Sequence, residues 1–264
     1  MPDHDPSAPR VSVAMATYDG AVHVGEQVAS ILEQLGPHDE VVVVDDASRD
    51  DTLAVLAGFD DPRLRVVTSP VNRGYVRAFE SALGEARGEV VLLADQDDVW
   101  LPGRVALFAE ALADHQVAAS NLVLLGTGAP LRAPLGGGAW RLRSADSQRH
   151  LANVAGILAG QRPYYGCAMG LRRDALALAL PFPAYLDESH DLWLALYGNL
   201  AGSIVHLDEA TLQRRVHASN ATPDRPRGVR AALGSRWMLA RAAVDLRRRV
   251  RAARRRGTSA GLSG

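Results

Sequence analysis

The chain has 264 residues, 47% hydrophobic and 22% charged, enough for one large α/β domain with a sizeable core. A formal charge of −1 argues against a general nucleic-acid partner, although arginines crowd residues 225–256 and the chain contains no lysine. A single cysteine, Cys167, excludes an internal disulfide, and neither a signal-like segment nor a membrane-length apolar run occurs, so a cytosolic protein is expected.

From residue 11 onward, short β-type runs alternate with helix-period segments. Residues 11–16 read as a buried strand, followed by a helix with Val24, Val28, Ile31, Leu32 and Leu35 on one face. Four valines at 41–44 suit a parallel strand buried on both sides. Residues 52–57 predict a short helix, 65–68 a strand, 75–86 a helix and 89–94 a strand, and a further helix begins near Pro102. This order predicts an α/β fold, a mostly parallel sheet with helices on both faces, whose ligands bind beyond the carboxyl ends of the strands. The polar clusters at 17–20, 45–46, 72–74 and 95–98 each follow a strand and would share that edge.

Beyond residue 125 the alternation decays. A Gly/Pro-rich loop spans 126–138, helices are expected at 148–158, 174–180 and 189–200, and strands at 165–171 and 203–207. A linker at 223–226 leads into one long basic helix over 229–256. The reading is a tail at 1–10, one domain at 11–222, and a basic helical extension at 223–264.

Asp95, Gln96, Asp97 and Asp98 put three carboxylates in four residues just after a buried strand. Burying such charges without a counter-ion is costly, and a hard oxygen-seeking cation, Mg²⁺ or Mn²⁺, relieves the conflict. Alternation places Asp95 and Asp97 on one face; the alternative is a solvated acidic turn. Ser48 and Asp51 have the spacing of a capping box, which leaves Asp45 and Asp46 to accept hydrogen bonds from a base or ribose. Asn72, Arg73 and Gly74 suit a turn, and Arg73 is also a bidentate donor for a diphosphate. Ser189 and Asp191 fit a helix start, where a carboxylate near a cleft can alternatively serve as a general base. His217 alone reads as structural.

Together VSVAMATYDG, VVVVDDASRDDT, NRGYVRAFESAL, VVLLADQDDVWLP, HDLWLALYG and RRVHASN resemble, in order and spacing, the family 2 glycosyltransferases over residues 10–222. DQDDVW, HDLW and HxxN are most similar to the bacterial rhamnosyltransferase-like branch, whose members decorate cell-surface polysaccharides. The resemblance implies a GT-A fold and inverting transfer from a nucleotide-diphosphate sugar, with dTDP-L-rhamnose favoured, to a glycan or lipid-linked acceptor. It implies nucleotide contacts at Thr17, Tyr18 and Asp46, with Glu26 assisting, Asp95 on ribose or metal, Asp97 on the metal, Asp191 as base, and His217 on metal or diphosphate. Two departures stand out. Asp19 replaces the common asparagine and adds negative charge near the nucleotide, and His190 replaces the acid before Asp191.

Two other readings stay open. A sugar-1-phosphate nucleotidyltransferase would carry a basic Gly-rich loop after the first strand, which residues 15–20 lack. A non-catalytic nucleotide-sugar-binding module would not need both the acidic cluster and Asp191. The arginine-rich helix offers peripheral contact with anionic lipid, or else a solvated or partner-packed face.

Overall fold

The computed structural model describes residues 10–133, 138–216 and 229–260. Its first half follows the expected order: β1 (Val11–Thr17), α1 (Val24–Leu32), β2 (Glu40–Asp45), α2 (Thr52–Ala57), β3 (Leu64–Thr68), α3 (Tyr75–Glu85) and β4 (Val90–Ala94). Then come β5 (Val99–Trp100), α4 (Arg104–Asp114), β6 (Val117–Leu124), α5 (His150–Ala159), β7 (Met169–Arg172), α6 (Arg173–Ala179), α7 (His190–Ala201), β8 (Ile204–Arg214) and α8 (Val229–Ala260).

One eight-stranded sheet runs β3-β2-β1-β4-β7-β6-β8-β5. Parallel pairs join β3-β2, β2-β1, β1-β4 and β6-β8, whereas β4-β7, β7-β6 and β8-β5 are antiparallel. Parallel pairings therefore predominate, four to three, as the alternating pattern predicts. Successive strand residues feed opposite layers. Val13, Met15, Leu92 and Ala94 pack with α1 and α4, while Ala14, Val91 and Leu93 pack with α3 and α7. The helix face predicted for residues 24–35 is buried, with Val24, Val28 and Ile31 at 0% exposure.

The second half was legible only in part. β5 and β6 carry no clean period-two pattern, and β8 runs on to Arg214 where a strand of 203–207 is expected. It does so through irregular pairing with β6 on either side of Asn121. There the Asn121 amide donates to the carbonyls of Leu142, Leu207 and Asp208 at 3.0–3.1 Å, replacing ladder bonds lost at the irregularity. Residues 166–168 form a single 3₁₀ turn before β7 rather than strand. α8 lies on α7, and Met238, Leu239, Ala242, Leu246 and Val250 join the same apolar cluster as Leu93 and Trp193. Among the described residues no helix is long and apolar enough to cross a membrane.

Candidate active site

The four predicted polar clusters meet at the carboxyl ends of β1, β2, β3 and β4. Thr17 is in register with Asp45, and its hydroxyl donates to Asp45 Oδ1 at 3.2 Å. Tyr18, half-exposed, pairs its backbone reciprocally with Gln96: its N–H donates to Oε1 at 2.9 Å, and Nε2 donates to its carbonyl at 3.1 Å. A Cβ on Gly20 would lie 2.3 Å from Gln96 Oε1 and would push that amide away from Tyr18. Asp19, the departure that adds charge, accepts the Arg49 N–H at 2.7 Å, while its own N–H donates to Ser48 Oγ at 3.0 Å. Its carboxylate thus ties two loops together.

The capping-box expectation for Ser48 and Asp51 is corrected here. α2 begins at Thr52 with no side-chain cap, and Ser48 instead donates its N–H and hydroxyl to Asp45, at 3.0 and 2.5 Å. Asp46, 2% exposed, accepts the backbone N–H of Arg73 at 2.9 Å and of Gly74 at 2.7 Å. That pair fixes the β3–α3 turn, where Gly74 has φ 85°. The Arg73 side chain is exposed above it.

Beyond β4, Gln27 Nε2 donates to the Asp95 carbonyl at 2.9 Å and holds the acidic turn to α1. Donor atoms of Asp95, Asp98 and Cys167 lie within 4.8 Å of one another, and Asp97 is not in this group. The pKa of Asp95 is driven up by burial first and then by the charges of Asp98 and Asp97; that of Asp98 rises by burial and then by Asp97. Asp98 Oδ2 is buried without a hydrogen-bond partner among the described residues. Burial also pushes up the pKa of the Cys167 thiol, so it stays protonated beside Asp98. Two mutually repelling carboxylates with an orphaned oxygen fit a hard divalent cation; the neutral thiol does not contribute to that fit. His217 lies outside the described residues.

Residues 214 and 215 complete the cluster. The Arg215 N–H donates to Asp98 Oδ1 at 3.2 Å, its Nε donates to the Asp97 carbonyl at 3.1 Å, and its Nη2 donates to Glu26 at 2.5 Å. Glu26 therefore sits in the site wall, engaged with Arg215. Arg214 stacks 5.3 Å from the Tyr165 ring centre. Burial opposes its charge, but its surroundings, the Asp95 and Asp98 carboxyls among them, outweigh burial and raise its pKa. Arg214, Arg215 and Gln27 have no assigned role in the sequence, and Asp98 enters there only as one of the three clustered carboxylates. The signal available was the RR pair of RRVHASN and the polar Gln96 between acids.

Asp191 opens α7 from the other side and is close enough for its charge to bear on Asp95. Burial pushes its pKa to about 6, against the Leu192 N–H that it accepts at 2.8 Å. His190 beside it is buried, stacked on Phe79 at 4.3 Å, and held neutral by desolvation. The described residues with φ above zero, glycines aside, are Asp19, Ala47 and Ser189, one in each of three segments that frame this site.

The model of the family described as Glycosyl transferase family 2 matches residues 12–176. The chain is 38% identical over 116 residues to the succinoglycan biosynthesis protein ExoO of Rhizobium meliloti, covering 43% of this chain and 33% of that one. It is 33% identical over 114 residues to the putative teichuronic acid biosynthesis glycosyltransferase TuaG of Bacillus subtilis, covering 42% and 45%. The match thus spans less than half the length of either relative. The crystal structure of S. aureus TarS 1-349 in complex with UDP-GlcNAc superposes with a TM-score of 0.62 at 23% identity, covering 80% of this chain and 60% of that one.

Proposed function

Because the chain belongs to glycosyl transferase family 2, we propose that it transfers a sugar from a nucleoside-diphosphate sugar to a hydroxyl of a glycan or lipid-linked acceptor, with inversion. The setting we propose is synthesis of a cell-surface polysaccharide, on the side of the membrane where nucleotide sugars are made. One observation carries the reading: a carboxyl poised near neutrality, Asp191, faces an acidic cluster at the ends of parallel strands.

In this reading Thr17, Tyr18 and Asp46 receive the nucleotide, and Arg73 with Arg214 faces the diphosphate. Glu26 acts by holding Arg215 against the acidic turn. Asp191 accepts the proton of the acceptor hydroxyl as that oxygen bonds to the anomeric carbon, and the bond to the diphosphate oxygen breaks. A single displacement inverts configuration and needs no second carboxylate nucleophile. Asp95, joined by Asp98 or Asp97, would hold Mg²⁺ or Mn²⁺, and His217 is the further ligand the resemblance suggests. Such an ion, when bound, supplies positive charge for the leaving diphosphate.

The sequence resemblance favours dTDP-L-rhamnose as donor, while the TarS structure is a complex with UDP-GlcNAc. Incubation with each donor and Mn²⁺ should release nucleoside diphosphate with one and raise the melting temperature with the same one. Pyrophosphate released from a nucleoside triphosphate and a sugar phosphate would establish a nucleotidyltransferase instead. Donor-dependent stabilisation without any turnover would establish a binding module.

A further inference from the structure

α8 carries an indole that the fold does not need. Met238 and Leu239 face the core at 7% and 1% exposure, whereas Trp237 beside them is 68% exposed. It overlooks a groove of about 720 Å³ between α8 and the segment before α7, lined also by Tyr75, Tyr185, Asp187, Glu188 and Ser235. Large exposed aromatics gathered in one concavity mark a binding surface more often than a structural accident.

The walls are held in place. Arg241 lies 3.9 Å from the Tyr185 ring centre and 6.0 Å from that of Trp237, bracing both. The Tyr185 hydroxyl donates to Asp245 at 2.6 Å, Ser235 donates to Glu188, and the Tyr75 hydroxyl accepts the Ser189 N–H at 3.2 Å. Such preorganisation lowers the ordering cost of a ligand. The groove also leads to the reacting end of the molecule. Glu188 stands three residues before Asp191, and the Tyr75 ring is 5.7 Å from that of His190.

We propose that this groove is an acceptor subsite that takes an uncharged pyranose ring, stacked on Trp237 and hydrogen-bonded along its hydroxyl edge to Asp187 and Glu188. The assignment rests on the transfer reading above. Aromatic faces match the C–H face of a sugar ring, and carboxylates match its hydroxyls. Among the described residues the lining includes two acids and no cation, a charge balance that disfavours a phosphate or an acidic sugar. Arg241 is engaged with the Tyr185 and Trp237 rings.

Saturation-transfer NMR on the full chain with methyl glycosides of glucose, N-acetylglucosamine and rhamnose tests this. At least one glycoside should show saturation of its ring protons, and Trp237→Ala should weaken that binding about tenfold. Glu188→Gln should weaken it less. Val244→Ala, on an exposed part of α8 outside the groove, should leave it intact. Stabilisation of the fold by UDP should be the same in wild type and Trp237→Ala. Saturation of none of the three glycosides, or equal saturation in Trp237→Ala and wild type, overturns the proposal. So does loss of phosphatidylglycerol-vesicle binding in Trp237→Ala with unchanged saturation, since the indole would then be a lipid contact. If UDP stabilises neither protein while Trp237-dependent saturation persists, the donor reading fails and the groove stands.

Discussion

Asp191→Asn distinguishes a catalytic carboxylate from a helix cap, because the two roles predict opposite changes in stability. Burial is the main reason that its pKa stands at about 6 rather than 3.8, with Glu188 adding to the rise; the Leu192 N–H, its own backbone amide and Arg214 oppose it. Each tenfold change in proton affinity is about 1.4 kcal/mol, so the ionised carboxylate costs the fold up to about 3 kcal/mol at neutral pH. Asp191 is only half-buried, and solvent lowers that ceiling. The folded protein binds the proton more tightly than the unfolded chain. Stability therefore falls as pH rises from 3.8 to about 6, and the full penalty applies above that range. Asparagine retains an acceptor for the Leu192 N–H and has no charge to desolvate. Asp191→Asn should thus melt higher than wild type in mildly alkaline buffer, with the gain vanishing below pH 3.8, while transfer falls by about 10²–10⁴. Wild-type turnover should decline on the acid side of about pH 6. A variant less stable than wild type in alkaline buffer would make Asp191 a cap, and near-normal transfer would remove it as the base.

Chelation with EDTA should abolish transfer, and Mn²⁺ should restore it. Asp98→Ala should raise the Mn²⁺ concentration needed, and an unchanged requirement in a titration of rate against Mn²⁺ would take Asp98 out of the ligand set. Ala47→Gly should raise the melting temperature slightly, because Ala47 has φ 63° in the loop after β2 and the strain relieved is about 1 kcal/mol. A fall in melting temperature would show that this conformation carries no strain. Replacing Arg248, Arg251, Arg255 and Arg256, which share one flank of α8, by glutamine should reduce sedimentation with phosphatidylglycerol vesicles. Equal sedimentation at low salt would leave that flank merely solvated.

The first half of the fold was legible because each element there obeys a single period. Val41, Val42, Val43 and Val44 suit a doubly buried strand, and the spacing of Val24, Val28 and Ile31 suits a helix face, and all seven are buried as such. The loops between them then fell at one edge by topology alone. The second half hid its strands for physical reasons. β6 contains Ser120, buried at 2% exposure, and Asn121, whose side chain repairs irregular pairing, so polarity interrupts the expected alternation. Asp98 was undervalued for a related reason. Its burial depends on Arg215 and Cys167, both more than sixty residues away, and no local pattern announces such contacts.

The residues that resist sequence reasoning share a physical character. Arg104, 1% exposed, has no carboxylate bonded to it among the described residues; it donates to the carbonyls of Leu93 and Cys167 and to the Thr211 hydroxyl, between the rings of Trp100 and Phe108. Burial lowers its pKa to about 10, yet it stays charged behind the acidic turn. Asp95 and Asp98 repel each other, Asp98 Oδ2 lacks a partner, and the three strained non-glycine residues stand nearby. Single orphaned polar atoms are also buried elsewhere, at Arg65, His150 and Asn199, but among the described residues the acidic turn combines one with mutually repelling carboxylates. Conflict concentrated at one edge of the sheet is stability given up locally, and a ligand of complementary charge would recover it on binding. By this argument the site can be located without reference to any relative. The stabilisation that Mn²⁺ and a nucleoside diphosphate confer together should therefore exceed the sum of what each confers alone.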